Sequence, residues 1–275
     1  RFYSTGGEEK QFILHISDQN DTGNALVIDD AKNAYITGNT GNKLIVLKLD
    51  AGLNEQWVYN WSKNPDRSYT GEGITIDDDG NLYVVGHDDV SNLVLLKFDK
   101  LGNLIWGKSE SNKKGLAISN DDEGNIYVTG GEEFKRDEGG TTQYTGFLSK
   151  YDSARKLLWT HSWDDKCGSD ISIDDQNNAV IIGKQVQISE KESFLVKYDA
   201  SGQEILTTSY EENLHALELG DSNAIFCVER YGLMKLDTNG DIVWSKSYHG
   251  GEKDLVVGED NEINILSSSK HEYYS

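Results

Sequence analysis

Proline is almost absent: Pro65 is the only one in 275 residues, against 28 glycines. Turns must therefore be made by Gly, Asn and Asp, which tolerate positive φ, and that is the chemistry of β-hairpins. Cysteine is scarce too. Cys167 falls in the loop-like run DDKCGS and Cys227 in the apolar run AIFCVE. No disulfide framework is indicated, and the redox compartment stays open. No apolar run approaches the roughly 18 residues of a membrane helix, and nothing has the form of a signal peptide. Positive charge is short as well: 26 Lys and Arg face 47 Asp and Glu, a formal net charge of −21. This argues against nucleic acid, because phosphates are bound by cationic side chains that displace counterions. It argues equally against docking on anionic membranes. What is present is a chain 36% hydrophobic with 14 Tyr and 6 Trp, a globular composition whose apolar residues are large.

Internal repetition organises the rest. Four segments follow N-x-[YV]-x-x-G: NAYITG from Asn33, NLYVVG from Asn81, NIYVTG from Asn125 and NAVIIG from Asn178. Weaker copies begin at Asn223 and Asn261, and the spacings are 48, 44, 53, 45 and 38 residues. Each copy follows an acidic turn and a short apolar run, such as ITIDDDG, which reads as a hairpin of strands A and B. A second signature comes after it: an apolar run ending in Lys-x-Asp, a turn, and a run that usually holds Trp. The lysines are Lys48, Lys97, Lys150, Lys197 and Lys235, followed by Trp57, Trp106, Trp159, Leu206 and Trp244. These are strands C and D.

Four short antiparallel strands per repeat is the pattern of a β-propeller blade. Five full blades are visible, and the chain closes on a sixth A-B pair, LVVGEDNEINIL. Residues 1–17 supply a matching C-D pair: Leu14 lies 19 residues before Asn33, as Trp106 does before Asn125. The expectation is one all-β domain over 1–275, a six-bladed propeller of four-stranded antiparallel blades. Its composite blade joins 1–17 to 253–275 and leaves no sheet edge exposed at the seam. The alternative is seven blades, one lying outside this sequence. The start, Arg1 to Thr5, has two readings: the end of a mitochondrial presequence, or simply a strand.

The segments DDDGNLYVVG with KFDKLGNLIW, and NDDEGNIYVTG, resemble the bacterial-type propeller repeats called SBBP repeats, whose pattern is close to D-x-x-GN-x-Y-V-x-G … K-x-D-x-x-G-x-x-x-W. The resemblance covers nearly the whole chain. It implies the propeller fold and a secreted or cell-surface protein of unassigned activity. It also implies seven blades, from which this chain departs.

The repeated residues invite structural readings. The Lys-x-Asp aspartates are expected to fix the C-D turns, with the lysines at strand edges. Trp57, Trp106, Trp159 and Trp244 are expected to be buried between blades. The A-B turns are acidic in nearly every blade, including Asp77 and Asp79. Either they form a calcium site or an electrostatic funnel, or their side chains bond their own turns. Functional residues are better sought where the repeat breaks. The D-A and B-C connections share the opposite end of each blade. They hold the insertions Gly131–Thr145, Lys184–Lys191, Ser62–Thr70 and His161–Ser169. Arg67, Tyr69, His87, Tyr144, His161, Trp163 and Tyr248 lie at this end and are the candidate partner-binding residues, since Arg and aromatics anchor interfaces. No H-E-x-x-H, G-x-S-x-G, GxGxxG or P-loop motif occurs. The expected function is a non-catalytic binding or scaffold propeller, without a cofactor, that takes a protein or glycan partner. Two rivals stand beside it: a lyase or hydrolase acting at the channel mouth, and an accessory subunit of a large assembly.

Overall fold

The hairpin chemistry of the sequence becomes strand almost everywhere. The computed structural model describes residues 21–134, 143–185, 193–229, 232–247, 251–257 and 263–268. Strands β1 (Asp21–Ile28), β2 (Ala34–Thr40), β3 (Lys43–Leu49) and β4 (Glu55–Trp61) form the first sheet. The second holds β5 (Tyr69–Ile76), β6 (Leu82–Asp88), β7 (Leu93–Phe98) and β8 (Leu104–Glu110). The third holds β9 (Lys114–Asn120), β10 (Ile126–Phe134), β11 (Gln143–Tyr151) and β12 (Leu157–Asp164). The fourth is β13 (Lys166–Ile173), β14 (Ala179–Gln185), β15 (Ser193–Tyr198) and β16 (Glu204–Tyr210). The fifth is β17 (Leu214–Leu219), β18 (Ile225–Glu229), β19 (Gly232–Leu236) and β20 (Ile242–Ser247). A final antiparallel pair joins β21 (Gly251–Val257) to β22 (Ile263–Ser268). The five four-stranded sheets are the five A-B-C-D copies of the repeat. The opening C-D pair and Tyr248 lie outside the described residues, as do 135–142 and 186–192 of two expected insertions. No helix among the described residues is long and apolar enough to cross a membrane.

The strands differ in burial as their sequences do. The continuous apolar run LVLLKF of β7 is buried at every position, as is SFLVKY of β15. Strand D alternates instead: β8 and β12 turn every second residue outward. A continuous run suits a strand covered on both faces, and alternation suits a half-covered edge.

Packing divides the chain into two compact units on either side of the Asn120–Asp121 bond. In the first, β5 lies against β1, β2 and β3, and β9 against β5, β6 and β7. In the second, β13 packs on β10 and β11, β17 on β13 and β14, and β21 on β17 and β18. One step therefore recurs in both units: strand A of each sheet covers the preceding sheet.

The first three sheets share one polar cluster. In the A-B turn of the third sheet, Asp121 accepts from the Asn125 backbone N–H (2.8 Å), the Asn125 amide (2.9 Å) and the Tyr127 hydroxyl (3.1 Å). Asp29 and Asp77 receive the same three donors in their sheets. The side chains thus bond their own turns, as Asx turns do. The C-D aspartates behave as expected: Asp99 Oδ1 accepts from the N–H groups of Leu101 and Asn103, with Gly102 at φ +86° completing the turn.

The lysines correct the sequence reading. They do not line strand edges but reach back across the sheet. Lys150 Nζ stands 4.7 Å over the Tyr127 ring and 3.0 Å from Asp121 Oδ2, and both charged side chains are buried. Lys197 meets Asp174 at 2.7 Å. Lys48 and Lys97 lie over Tyr35 and Tyr83. The tryptophans are corrected too, being half-buried rather than buried. Trp57 packs 6.1 Å from Tyr35 in its own sheet and covers Gly102 in the next one. Trp159 does the same between Tyr127 and Gly202.

Candidate binding face

In each sheet one end carries the D-A and B-C connections, and the candidate residues are taken unit by unit. In the first unit, the loop between β4 and β5 delivers Arg67, whose Nη1 lies 2.7 Å from Asp88 Oδ2. Asp88 is 4% exposed and also accepts from the Asn92 backbone and amide, both at 2.8 Å. Burial pushes the Asp88 pKa up, but the Asn92 and Arg67 bonds outweigh it and leave the carboxyl below its ordinary value. Tyr69 is buried, opposite Asp88 in the β5–β6 register, with its ring 4.9 Å from Trp61. Its hydroxyl accepts from the Asn64 N–H at 3.1 Å and so pins the loop. His87 follows on β6, with Nε2 3.4 Å from Glu72 Oε1 and Nδ1 3.0 Å from the Asp88 carbonyl. Burial lowers its pKa, yet Glu72 and that carbonyl prevail and hold it above its ordinary value. Arg67, Tyr69 and His87 thus meet around one B-C turn.

In the second unit the sequence misplaced two candidates. His161–Ser169 is no inserted loop: β12 runs to Asp164, β13 starts at Lys166, and Asp165 alone turns the chain at φ +55°. Cys167 accordingly lies in β13. His161 and Trp163 sit on the inward side of strand D, packed on the next sheet. His161 stacks on Tyr198 at 4.5 Å, and Trp163 Nε1 donates to the Tyr198 hydroxyl at 2.9 Å. Their counterparts in the first unit are Tyr59 and Trp61, packed on Phe98 and Tyr69. Tyr144 is half-buried at the start of β11, where its carbonyl accepts from the Asp165 N–H at 2.8 Å.

The residues that sequence reasoning missed are the bulges. Strand A of the first sheet shifts register between Gly23 and Ala25, and that of the second between Gly71 and Gly73. The fourth, fifth and last pairs shift between Gly168 and Asp170, Leu214 and Ala216, and Glu252 and Asp254. The extra residues are Asn24, Glu72, Ser169, His215 and Lys253, five different polar residues at one repeated position. All fall near the start of strand A, the end that bears the D-A connections. Bulges re-aim a side chain and concentrate near functional sites. Asn24 reaches the neighbouring strand A, donating to Thr70 Oγ1 (3.0 Å) and the Gly71 carbonyl (2.9 Å). In the first, second and fourth sheets the visible signal was a polar residue directly after glycine, whereas His215 and Lys253 follow Leu214 and Glu252.

The opposite end is chemically occupied. Asp77 Oδ1 and Oδ2 are engaged by Asn81 and Tyr83 within their own turn. Among the described residues, no group of three or more His, Cys, Asp or Glu is arranged to hold a metal ion.

Comparison with known proteins identifies the fold as that of a β-propeller. A protein of unknown function from Bacteroides caccae superposes with a TM-score of 0.60 at 10% identity, over 88% of this chain and 84% of that one. The Pan2 WD40 domain of Neurospora crassa gives 0.62 at 9% identity, over 86% and 68%. A gluconolactonase from Xanthomonas campestris gives 0.58 at 9%, over 91% and 84%. Residues 64–92 match the SBBP beta-propeller repeat, so the chain carries a repeat of that family. The matched segment runs from the Arg67 loop through β5 and β6 to the Asp88 turn. No curated protein sequence matches the chain.

Proposed function

We propose that this chain is a non-catalytic binding or scaffold module, a single six-bladed propeller domain closed by residues 1–17 against 253–275. It takes a protein or glycan partner on the end carrying the D-A and B-C connections. One observation carries this reading: the two ends of the sheets are chemically unequal. At the A-B and C-D end, the aspartates are used by the turns they close. At the other end stand Arg67, Glu72 and His87, together with the varied bulge residues. A repeated residue serves the fold, whereas variation at a repeated, re-aimed position suits recognition of one partner.

The test is capture from a native extract, together with a glycan array, using folded variants. Arg67→Gln combined with Glu72→Gln is expected to weaken binding by about 2 kcal/mol, roughly thirtyfold in Kd. Asp77→Asn with Asp79→Asn is expected to leave Kd unchanged and only slow association at low salt. The reverse pattern would move the site to the acidic turns and favour calcium or the funnel.

A further inference from the structure

The fourth sheet keeps Asp174, Asn178 and Lys197 of the cluster with Val180 in place of the tyrosine, and the fifth departs further. The first four sheets open the A-B turn with Asp29, Asp77, Asp121 and Asp174. The fifth has Gly220 there, its N–H bonding the Ala224 carbonyl at 2.8 Å as Asp29 N–H bonds that of Asn33. Phe226 stands where Tyr35, Tyr83 and Tyr127 stand, so the hydroxyl is gone as well. The lysine remains. Lys235 Nζ lies 5.2 Å from the Phe226 ring, and among the described residues no carboxylate pairs with it. The C-D turn differs as well, as it does in the third and fourth sheets, which have Lys156 and Gln203 where the first two have Asn54 and Asn103. The amides of Asn54 and Asn103 bond Oδ2 of Asp50 and Asp99. The fifth sheet has Asp241 at that place, and among the described residues the Asp237 carboxylate is engaged through Oδ1, by the N–H groups of Asn239 and Asp241.

These two charges line one open pocket of about 480 Å³, joined by Asp221, the hydroxyls of Ser222 and Thr238, and an apolar wall at Val243. Ser222 and Asn223 beside it are both left-handed, at φ +57° and +59°. The other A-B turns hold a single such residue each: Lys32, Gly80, Gly124 or Asn177. A lone anion would meet Asp221 and Asp237 in a chain of net charge −21, and a lone cation would meet Lys235. A ligand with both charges satisfies both ends.

We infer that this pocket binds a small zwitterion, a free α-amino acid with a short side chain. Its carboxylate faces the Lys235 ammonium, its ammonium faces Asp237, and its side chain lies on Val243. The site lies wholly within the second unit and does not rest on ring closure or on the proposed binding face.

The experiment is a titration of the 15N-labelled full chain with L-alanine, L-serine and L-valine, following the amides of Ser222, Thr238 and Val243. Acetate and ethylamine serve as single-ended probes. At least one amino acid is expected to saturate these shifts, with acetate and ethylamine at least tenfold weaker. Lys235→Met is expected to abolish the response. Gly220→Asp with Phe226→Tyr rebuilds the carboxylate of the other sheets and is expected to abolish it too, with an unfolding midpoint no lower than that of the parent. Absence of saturation by all three amino acids would overturn the inference. So would acetate binding as tightly as they do, or binding unchanged in the Gly220→Asp, Phe226→Tyr variant.

Discussion

Asp121→Ala is expected to destabilise the protein by about 3–5 kcal/mol, the cost of breaking a buried ion pair from one side. The substitution leaves the Lys150 ammonium buried, with the Tyr127 ring and the Ala200 carbonyl at 3.2 Å as its remaining partners. It also strips acceptors from Asn125 and Tyr127. Replacing both charges by apolar residues of similar volume, as in Asp121→Leu with Lys150→Met, is expected to cost less than Asp121→Ala alone. Desolvation of the ammonium is then relieved. Urea midpoints at unchanged slope measure both. The effect has a pH signature. Burial pushes the Asp121 pKa up, but the Asn125 and Lys150 bonds together bring it below its ordinary value of 3.8. A depressed folded-state pKa contributes stability that is present above the unfolded value and lost as pH falls through the folded one. The deficit of Asp121→Ala is therefore expected to be full at pH 7 and to shrink below pH 3.8. A deficit that stays constant down to acid denaturation would separate the carboxylate from the stability of this sheet.

Gly86→Ala is expected to cost about 3 kcal/mol, at the upper end for overpacking, because the clash is with backbone. A Cβ on Gly86 would press into the Thr70 carbonyl oxygen, and one on Gly38 into that of Thr22. The bulge in strand A brings these carbonyls close, so the last residue of N-x-[YV]-x-x-G is a consequence of the bulge on the neighbouring strand. Gly124→Ala is the control. It has open space around its Cβ but φ of +74°, and its cost is expected to be roughly 1–2 kcal/mol, that of a left-handed residue with a side chain. Equal urea midpoints for Gly86→Ala and the parent would mean that the bulge register is wrong.

Strand order was legible because most turns announce themselves: an aspartate that closes the turn, a left-handed residue such as Gly80, and often an asparagine that returns. The junction at Asp165 was not. HSWDDKCGS holds no apolar run, yet His161 and Trp163 alternate with Ser162 and Asp164, and over so few residues an edge strand reads like a polar loop. The lysine clusters were hidden for another reason. Lys150 is a C-strand residue and Asp121 opens the A-B turn, so only the folded sheet brings them within 3.0 Å. Bulges leave still less trace, since one added residue at Asn24 or Glu72 changes neither composition nor the apolar run after it. Of the candidate residues, Arg67, Tyr69 and His87 lie together at one end of the second sheet. Trp163 was drawn there by its chemistry, although its indole is committed to Tyr198.

Closure of the sixth blade is the central claim, and deletion of Arg1–Ser17 tests it most directly. Hydrogen exchange of the full chain and the deletion variant, read at β21 and β22, reports whether those strands have lost a neighbour. The account predicts protected amides at 251–257 and 263–268 in the full chain. In the variant it predicts loss of that protection, with aggregation as an unpaired sheet edge is exposed. A soluble monomer that unfolds cooperatively at the parent midpoint, with β21 and β22 equally protected, would contradict it.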